Sequence, residues 1–125
     1  MRFGFHMFMV PPSEHQEIAR TADAWGWDSV QVADAPFFPE KVSVPYPYTP
    51  DGSRFWPLDV EVLDPWIAIT NMAAVTRRIR FLPSVLRLAI RQPLLEAKNL
   101  FSVAAVANDR LAVGVGLAWM PEEFK

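Results

Sequence analysis

Ser84-Val85-Leu86-Arg87-Leu88-Ala89-Ile90-Arg91-Gln92-Pro93-Leu94-Leu95-Glu96-Ala97-Lys98, and further on Arg110-Leu111-Ala112-Val113-Gly114-Val115-Gly116-Leu117-Ala118-Trp119, decide the fold of this chain. Residues 84–119 read as the end of an apolar strand, a loop, a helix opened by Pro93 and a second apolar strand that runs into glycines. A strand, a helix and a strand in that order make one crossover unit, the element from which parallel sheets and barrels are built.

The same alternation extends towards the N-terminus. Arg2–Met9 is a short apolar run closed by Pro11-Pro12 and predicts a buried strand. Ser13 and Gln16 have capping-box spacing for the helix that follows. Ile18, Ala22 and Trp25 recur at helical intervals, and Gly26 stands where a helix ends on glycine. Asp28–Ala33 is a second strand. Asp64-Pro65 is a helix start, with Asp as N-cap and Pro at the first helical position. That helix is expected to reach about Thr76, and Ile79–Leu86 forms the third strand. Pro93–Ala107 is the third helix, with Leu94, Ala97, Phe101 and Ala104 on one face. Leu111–Leu117 is the fourth strand. The order β-α-β-α-β-α-β with nearly all-apolar strands predicts a parallel α/β sheet covered on both sides. A doubly wound sheet and a (β/α)8 barrel both satisfy it.

Composition narrows the function classes. The 125 residues are 51% hydrophobic and 21% charged, which describes a folded chain of one domain, 1–125. A net charge of −2 supplies no field for nucleic acid or anionic lipid. The absence of cysteine removes disulfides, thiolate metal sites and a thiol nucleophile, and fits a reducing cytoplasm. The N-terminal apolar run is too short for a signal peptide or a membrane span. The prolines gather between residues 36 and 65, marking one long irregular loop at 36–63.

Several chemistries lack their residues. Gly114-Val115-Gly116 is not followed by the third glycine of a dinucleotide-binding turn. No Gly-x-Ser-x-Gly elbow supports hydrolysis. Two histidines without an acidic cluster argue against a metal. His6, at the end of the first strand, and Asp34, just after the second, are the candidate catalytic groups, against the alternatives that His6 is a core hydrogen-bonder and that Asp34 orients loop backbone; His15 is placed on the exposed start of a helix. The loop carries Tyr46-Pro47-Tyr48-Thr49-Pro50-Asp51-Gly52-Ser53-Arg54-Phe55-Trp56, where Pro-Asp-Gly is a turn and the aromatics suit either a lid over a ring-shaped ligand or a rigid flap over apolar surface.

Taken in order, Arg91-x-Pro93-x-x-x-Ala97-Lys98 and Gly114-x-Gly116-x-x-Trp119 resemble the luciferase-like family of flavin- and deazaflavin-dependent oxidoreductases. The resemblance spans Arg2 to Phe124. It implies the N-terminal half of a (β/α)8 barrel, and hydride transfer between coenzyme F-420 or FMN and an organic substrate. It also implies a non-proline cis peptide at Ser84-Val85 behind the cofactor ring, with Gly114, Gly116 and Trp119 near the pocket. Pro45 to Gly52 and the closing Trp119-Met120-Pro121-Glu122-Glu123-Phe124 resemble the branch of the family predicted to use F-420. There are departures. Relatives commonly have Asp-His where this chain has Asp34-Ala35, and glycine where it has Ala118. They have Leu-Ser-Gly-Gly-Arg where it has Val106-Ala107-Asn108-Asp109-Arg110, although Asn and Asp suit the same turn.

A complete barrel takes roughly 250 residues, and four strands make half of one. The resemblance therefore implies that the cofactor phosphate is held by loops of the other half, so that this chain alone binds cofactor weakly or not at all. Inward strand positions read as apolar, which predicts self-association or pairing with a second half-barrel. A non-catalytic half-barrel acting as an assembly module is the alternative.

Overall fold

The computed structural model describes residues 1–125. Three parallel strands form the main sheet in the order β1 (Gly4–His6), β2 (Ser29–Val32), β3 (Arg80–Pro83). The helices α1 (His15–Trp25) and α2 (Pro65–Ala73) make the crossovers between them. After Pro83 the chain breaks at Ser84-Val85, whose peptide is cis, and Leu86–Arg87 becomes a separate strand, β4. A helix, α3 (Pro93–Val106), then leads to β5 (Val115–Gly116), which pairs in parallel with β4.

The expected third strand is thus two strands divided by the cis peptide. The expected fourth is mostly backbone pairing outside regular strand. The Phe81 amide donates to the Arg110 carbonyl at 2.8 Å, Ala112 donates to Phe81 at 2.9 Å and Gly114 donates to Pro83 at 3.2 Å, so residues 110–114 still run beside β3 in parallel.

Local chemistry explains the helix boundaries. The Asp64 carboxylate accepts from the Trp66 amide at 2.9 Å, and Pro65 needs no partner at the first helical position. The Gln92 side chain caps α3 through the Leu95 amide at 2.7 Å. Gly26 ends α1 with φ of +83°, a conformation that costs glycine little. Asn108 and Asp109 take φ of +49° and +56°, so they make the left-handed turn that two glycines would make more easily.

The expected capping box at Ser13 and Gln16 does not form. Pro12–Glu14 is a 3-10 turn without a side-chain cap, and the Gln16 amide donates instead to the Asn71 side chain at 2.6 Å, joining α1 to α2. His15 is buried rather than exposed, and its Nε2 lies 3.0 Å from the Val10 carbonyl. The carboxylate of Asp23, on α1, accepts from the Arg77, Arg78 and Ile79 amides and fastens the turn before β3. Burial alone would raise the pKa of that carboxyl group, but the three amides and the Arg78 charge hold it below the ordinary value.

The core lies between the sheet and the helices. Val30, Val32, Ile79 and Phe81 pack against Ala19 and Ala22 of α1 and against Ala68, Ile69, Met72 and Ala73 of α2. Small alanines bring the helices close to the sheet, and each large side chain buried there stabilises by roughly 1.5–3 kcal/mol.

Strand alternation sends the remaining residues to the opposite face. Gly4, Ser29 and Arg80 are in register there, as are His6, Gln31 and Leu82. A Cβ built on Gly4 would run into the Ser29 hydroxyl, which confirms that these side chains share one face. That face is largely polar, contrary to the expected apolar interior, because alternation commits the branched and aromatic residues to the helix side. Unpartnered apolar side chains also stand on the helices: Trp25 is 78% exposed, Leu94 78% and Phe101 72%. The expected face of α3 thus turns outward, and Val103 and the indole partner Glu96 are the buried residues of that helix. No helix is long and apolar enough to cross a membrane.

Candidate functional site

Parallel strands put all their carboxyl ends on one side, and the chain gathers its unusual residues there. His6 ends β1, Asp34 follows β2, Ser84 and Val85 follow β3, and Leu117 and Trp119 follow β5. Together with aromatics of the 36–63 loop they line a cleft of about 250 Å³. A wider groove of about 650 Å³ between α1 and β1 is lined by Phe5, Ile18, Trp25 and Trp27. It lies on the helix side, away from the strand ends, and holds no cluster of groups suited to chemistry.

The floor of the cleft is held by His6. Its Nδ1 accepts from the Phe8 amide at 3.0 Å, so Nε2 carries the ring proton and donates to the Ser84 carbonyl at 3.3 Å. Both nitrogens are engaged with backbone. Behind Val85 stand the two glycines. A Cβ on Gly114 would lie 2.8 Å from the Pro83 carbonyl oxygen, and one on Gly116 would overlap a Val85 methyl. Glycine at 114 lets the backbone pass close to the Pro83 carbonyl, and glycine at 116 lets the Val85 side chain settle against the neighbouring strand. The two glycines shape the floor from behind, while Ser84, Val85 and Trp119 line the cleft itself.

Asp34 is equally engaged. Its carboxylate accepts from the Arg87 amide at 2.8 Å and from the Arg91 guanidinium at 2.7 and 3.2 Å. Arg91 also reaches Asp64 at 3.2 Å and Glu96 at 3.1 Å, and the other Glu96 oxygen accepts the Trp66 indole N–H at 2.7 Å. Burial alone would lower the Arg91 pKa, but hydrogen bonds and charge from Asp34, then Glu96, raise it above its ordinary value. This network binds the strand ends to the starts of α2 and α3. In this geometry His6 and Asp34 position backbone around the cleft.

The roof is the long loop, fastened at its far side. The Glu122 carboxylate accepts from the Ser43 amide at 3.0 Å. The fully buried Glu123 side chain accepts from the Trp119 and Met120 amides at 3.2 and 3.1 Å and pairs with Arg87. Arg54 donates to the Pro39 and Glu40 carbonyls at 2.5 and 3.1 Å. Tyr46 is the hub of the roof, with its ring centroid 4.9 Å from Trp56 and 5.3 Å from Trp119, both near edge-to-face. Burial, then the neighbouring Tyr48, raises the Tyr46 phenol pKa, with Arg87 opposing. Sequence reasoning marked the loop aromatics as a group, but not the Glu123–Arg87 and Arg91 networks. The partners of these arginines lie 36 and 57 residues away in the chain for the pairs with Glu123 and Asp34, so no local spacing signals them.

Parallel β/α units with a cleft at their strand ends occur in doubly wound sheets and in barrels, and the sequence decides between them. The profile of the luciferase-like monooxygenases matches residues 3–125, and the chain belongs to that family. It is 34% identical over all its 125 residues to the uncharacterized protein Rv0940c of Mycobacterium tuberculosis, and spans 43% of that protein's length. The fold superposes on monooxygenase RslO1 from Streptomyces bottropensis with a TM-score of 0.73 at 27% identity, over 99% of this chain and 35% of that one. It also matches the FMN-complexed oxygenating constituent of 3,6-diketocamphane monooxygenase from Pseudomonas putida, with a TM-score of 0.69 at 19% identity over 98% and 30% of the two chains. For the coenzyme F-420-dependent tetrahydromethanopterin reductase of Methanopyrus kandleri the values are 0.65 and 17%, over 92% and 26%. The fold is therefore that of the N-terminal β/α units of a luciferase-like barrel.

Proposed function

We propose that residues 1–125 act as one partial domain, the ring-binding part of an oxidoreductase that transfers hydride between FMN or coenzyme F-420 and an organic substrate. The aromatic cleft at the carboxyl ends of the parallel strands carries this reading. Ligands of open α/β sheets and barrels sit at such strand ends. The neighbours named for FMN and for F-420 share the fold, which supports a ring cofactor of either kind.

The residues present fit the ring part of such a group. Ser84 and Val85 offer a backbone floor with one apolar side chain, Trp119 and Tyr46 offer aromatic walls, and Gly114 and Gly116 leave room behind the floor. When bound, the cofactor supplies the hydride chemistry. The chain orients the ring, excludes water with the loop and fixes the floor through His6 and Asp34. Nothing in the cleft fits a phosphate. Arg87 is paired with Glu123, Arg91 with three carboxylates, and Arg54 with two carbonyls. The family resemblance puts the cofactor phosphate on loops of the other half of a barrel, and the pairing of these arginines agrees with that.

Titrating the chain with FMN and riboflavin, and then with F-420, tests this. FMN and riboflavin should bind alike, with dissociation constants above about 100 μM and with quenched flavin fluorescence. Micromolar FMN binding, or a clear preference for FMN over riboflavin, would place a phosphate site in this chain and refute the assignment. Unquenched, non-saturating signals for all three compounds would remove the ring site.

The second reading, an assembly module, is favoured by the exposed Trp25 of α1 and the outward apolar row of α3. Trp25 at one edge and Leu94 and Phe101 at the other would be wet in a monomer. On this reading, sedimentation at micromolar concentration shows a dimer or larger species. A cooperatively folding monomer at that concentration rejects it.

A further inference from the structure

The roof of the cleft is more aromatic than a cofactor ring requires, and its outer lip is exposed. Tyr48 is 81% exposed and Phe55 59%, although both line the cleft. Large aromatics are rarely left in water at the mouth of a pocket without a ligand to cover them. The loop bearing them is pinned through Glu122 and Arg54, so the lip is held in place at the cleft edge.

Charge around the lip is already neutralised. Among the titratable groups lining the cleft, Arg87 is paired with Glu123 and Asp34 with Arg91. His6 uses both ring nitrogens on backbone. A charged substrate would lose its hydration and meet no free counter-charge, a cost that selects against it. Of the neutral donors that line the cleft, one is buried without a partner. The Trp56 indole N–H is buried and has no hydrogen-bond partner, and Trp56 lines the same cleft between Phe55 and Tyr46. Buried donors are nearly always satisfied, so this one points to an acceptor supplied by a ligand.

We infer that the 36–63 loop is the substrate-recognition wall of this site, and that it selects an uncharged, planar organic molecule bearing a carbonyl-type acceptor for Trp56. Tyr48 and Phe55 stack on the plane, and the indole N–H sets its orientation. The inference rests on the oxidoreductase reading for its biological meaning, but its test needs no cofactor.

The five indole N–H signals of the ¹⁵N-labelled chain can be followed by NMR during titration with 1-acetonaphthone and, separately, with 1-naphthoate. Trp56→Phe identifies its own signal by deletion. The ketone should move the Trp56 signal saturably, and the carboxylate should bind at least about tenfold more weakly. Tyr48→Ser combined with Phe55→Ser should weaken ketone binding by a similar factor while the circular dichroism spectrum stays native. Equal or tighter binding of the carboxylate overturns the inference, as does ketone binding that ignores the double variant or leaves Trp56 unmoved. Because flavin is absent, a ketone that fails where flavin quenching succeeds rejects the substrate class alone. The reverse pattern rejects the ring site alone.

Discussion

Arg91→Met is expected to lower the stability of the fold by about 3–5 kcal/mol. Arg91 is the cation shared by Asp34, Asp64 and Glu96. The Asp34 and Glu96 side chains are only 2% and 7% exposed, so removing the guanidinium strands two carboxylates away from water. Methionine keeps most of the apolar stem, and the loss therefore reports the charge and not the volume. Urea denaturation of both proteins measures it. Adding Asp34→Asn and Glu96→Gln to the variant should recover part of the loss, because neutral amides tolerate burial better than unpaired anions. A loss below about 1 kcal/mol would mean that the cluster behaves as an exposed ion pair, and would remove it as the clamp of the cleft.

Gly116→Ala is expected to cost about 2–3 kcal/mol, in the upper part of the range for an overpacked site. The added methyl collides with Val85, whose β-branched side chain has few rotamers in which to retreat. Where relief comes by pushing Val85 into the cleft, the same change should also abolish the flavin quenching proposed above. A double-mutant cycle isolates the contact. In a Val85→Ala background most of the cost of Gly116→Ala should vanish, since the obstructing methyls are gone. Additive losses would show that Gly116 is needed for its own backbone and not for Val85.

These two positions show how the site is built. Neither residue reacts with anything. Arg91 holds Asp34, which holds the Arg87 amide, and Gly116 admits Val85, which is half of the floor. The cleft is a product of supports set several elements apart. His6 belongs among them, because its ring is spent on the Phe8 amide and the Ser84 carbonyl. On the proposed function, chemistry in such a site would fall to the cofactor, and the protein would contribute shape and orientation.

The sequence alone determined the order of strands and helices, the parallel sheet, the caps at Asp64 and Gly26, the turn at Asn108-Asp109 and the position of the cis peptide. Each of these rests on contacts within a few residues, or on a family pattern collinear with the chain. Only the tertiary structure decided which faces were buried. Leu94, Ala97 and Phe101 share a helical face, yet that face points outward, and His15 is buried despite starting a helix. Periodicity says which side chains stand together, but what they stand against is set by elements elsewhere in the chain. The partners that engage Asp34 and His6 were hidden for the same reason. These partners, Arg91 and Ser84, are 57 and 78 residues distant, and only folding brings them within hydrogen-bonding reach.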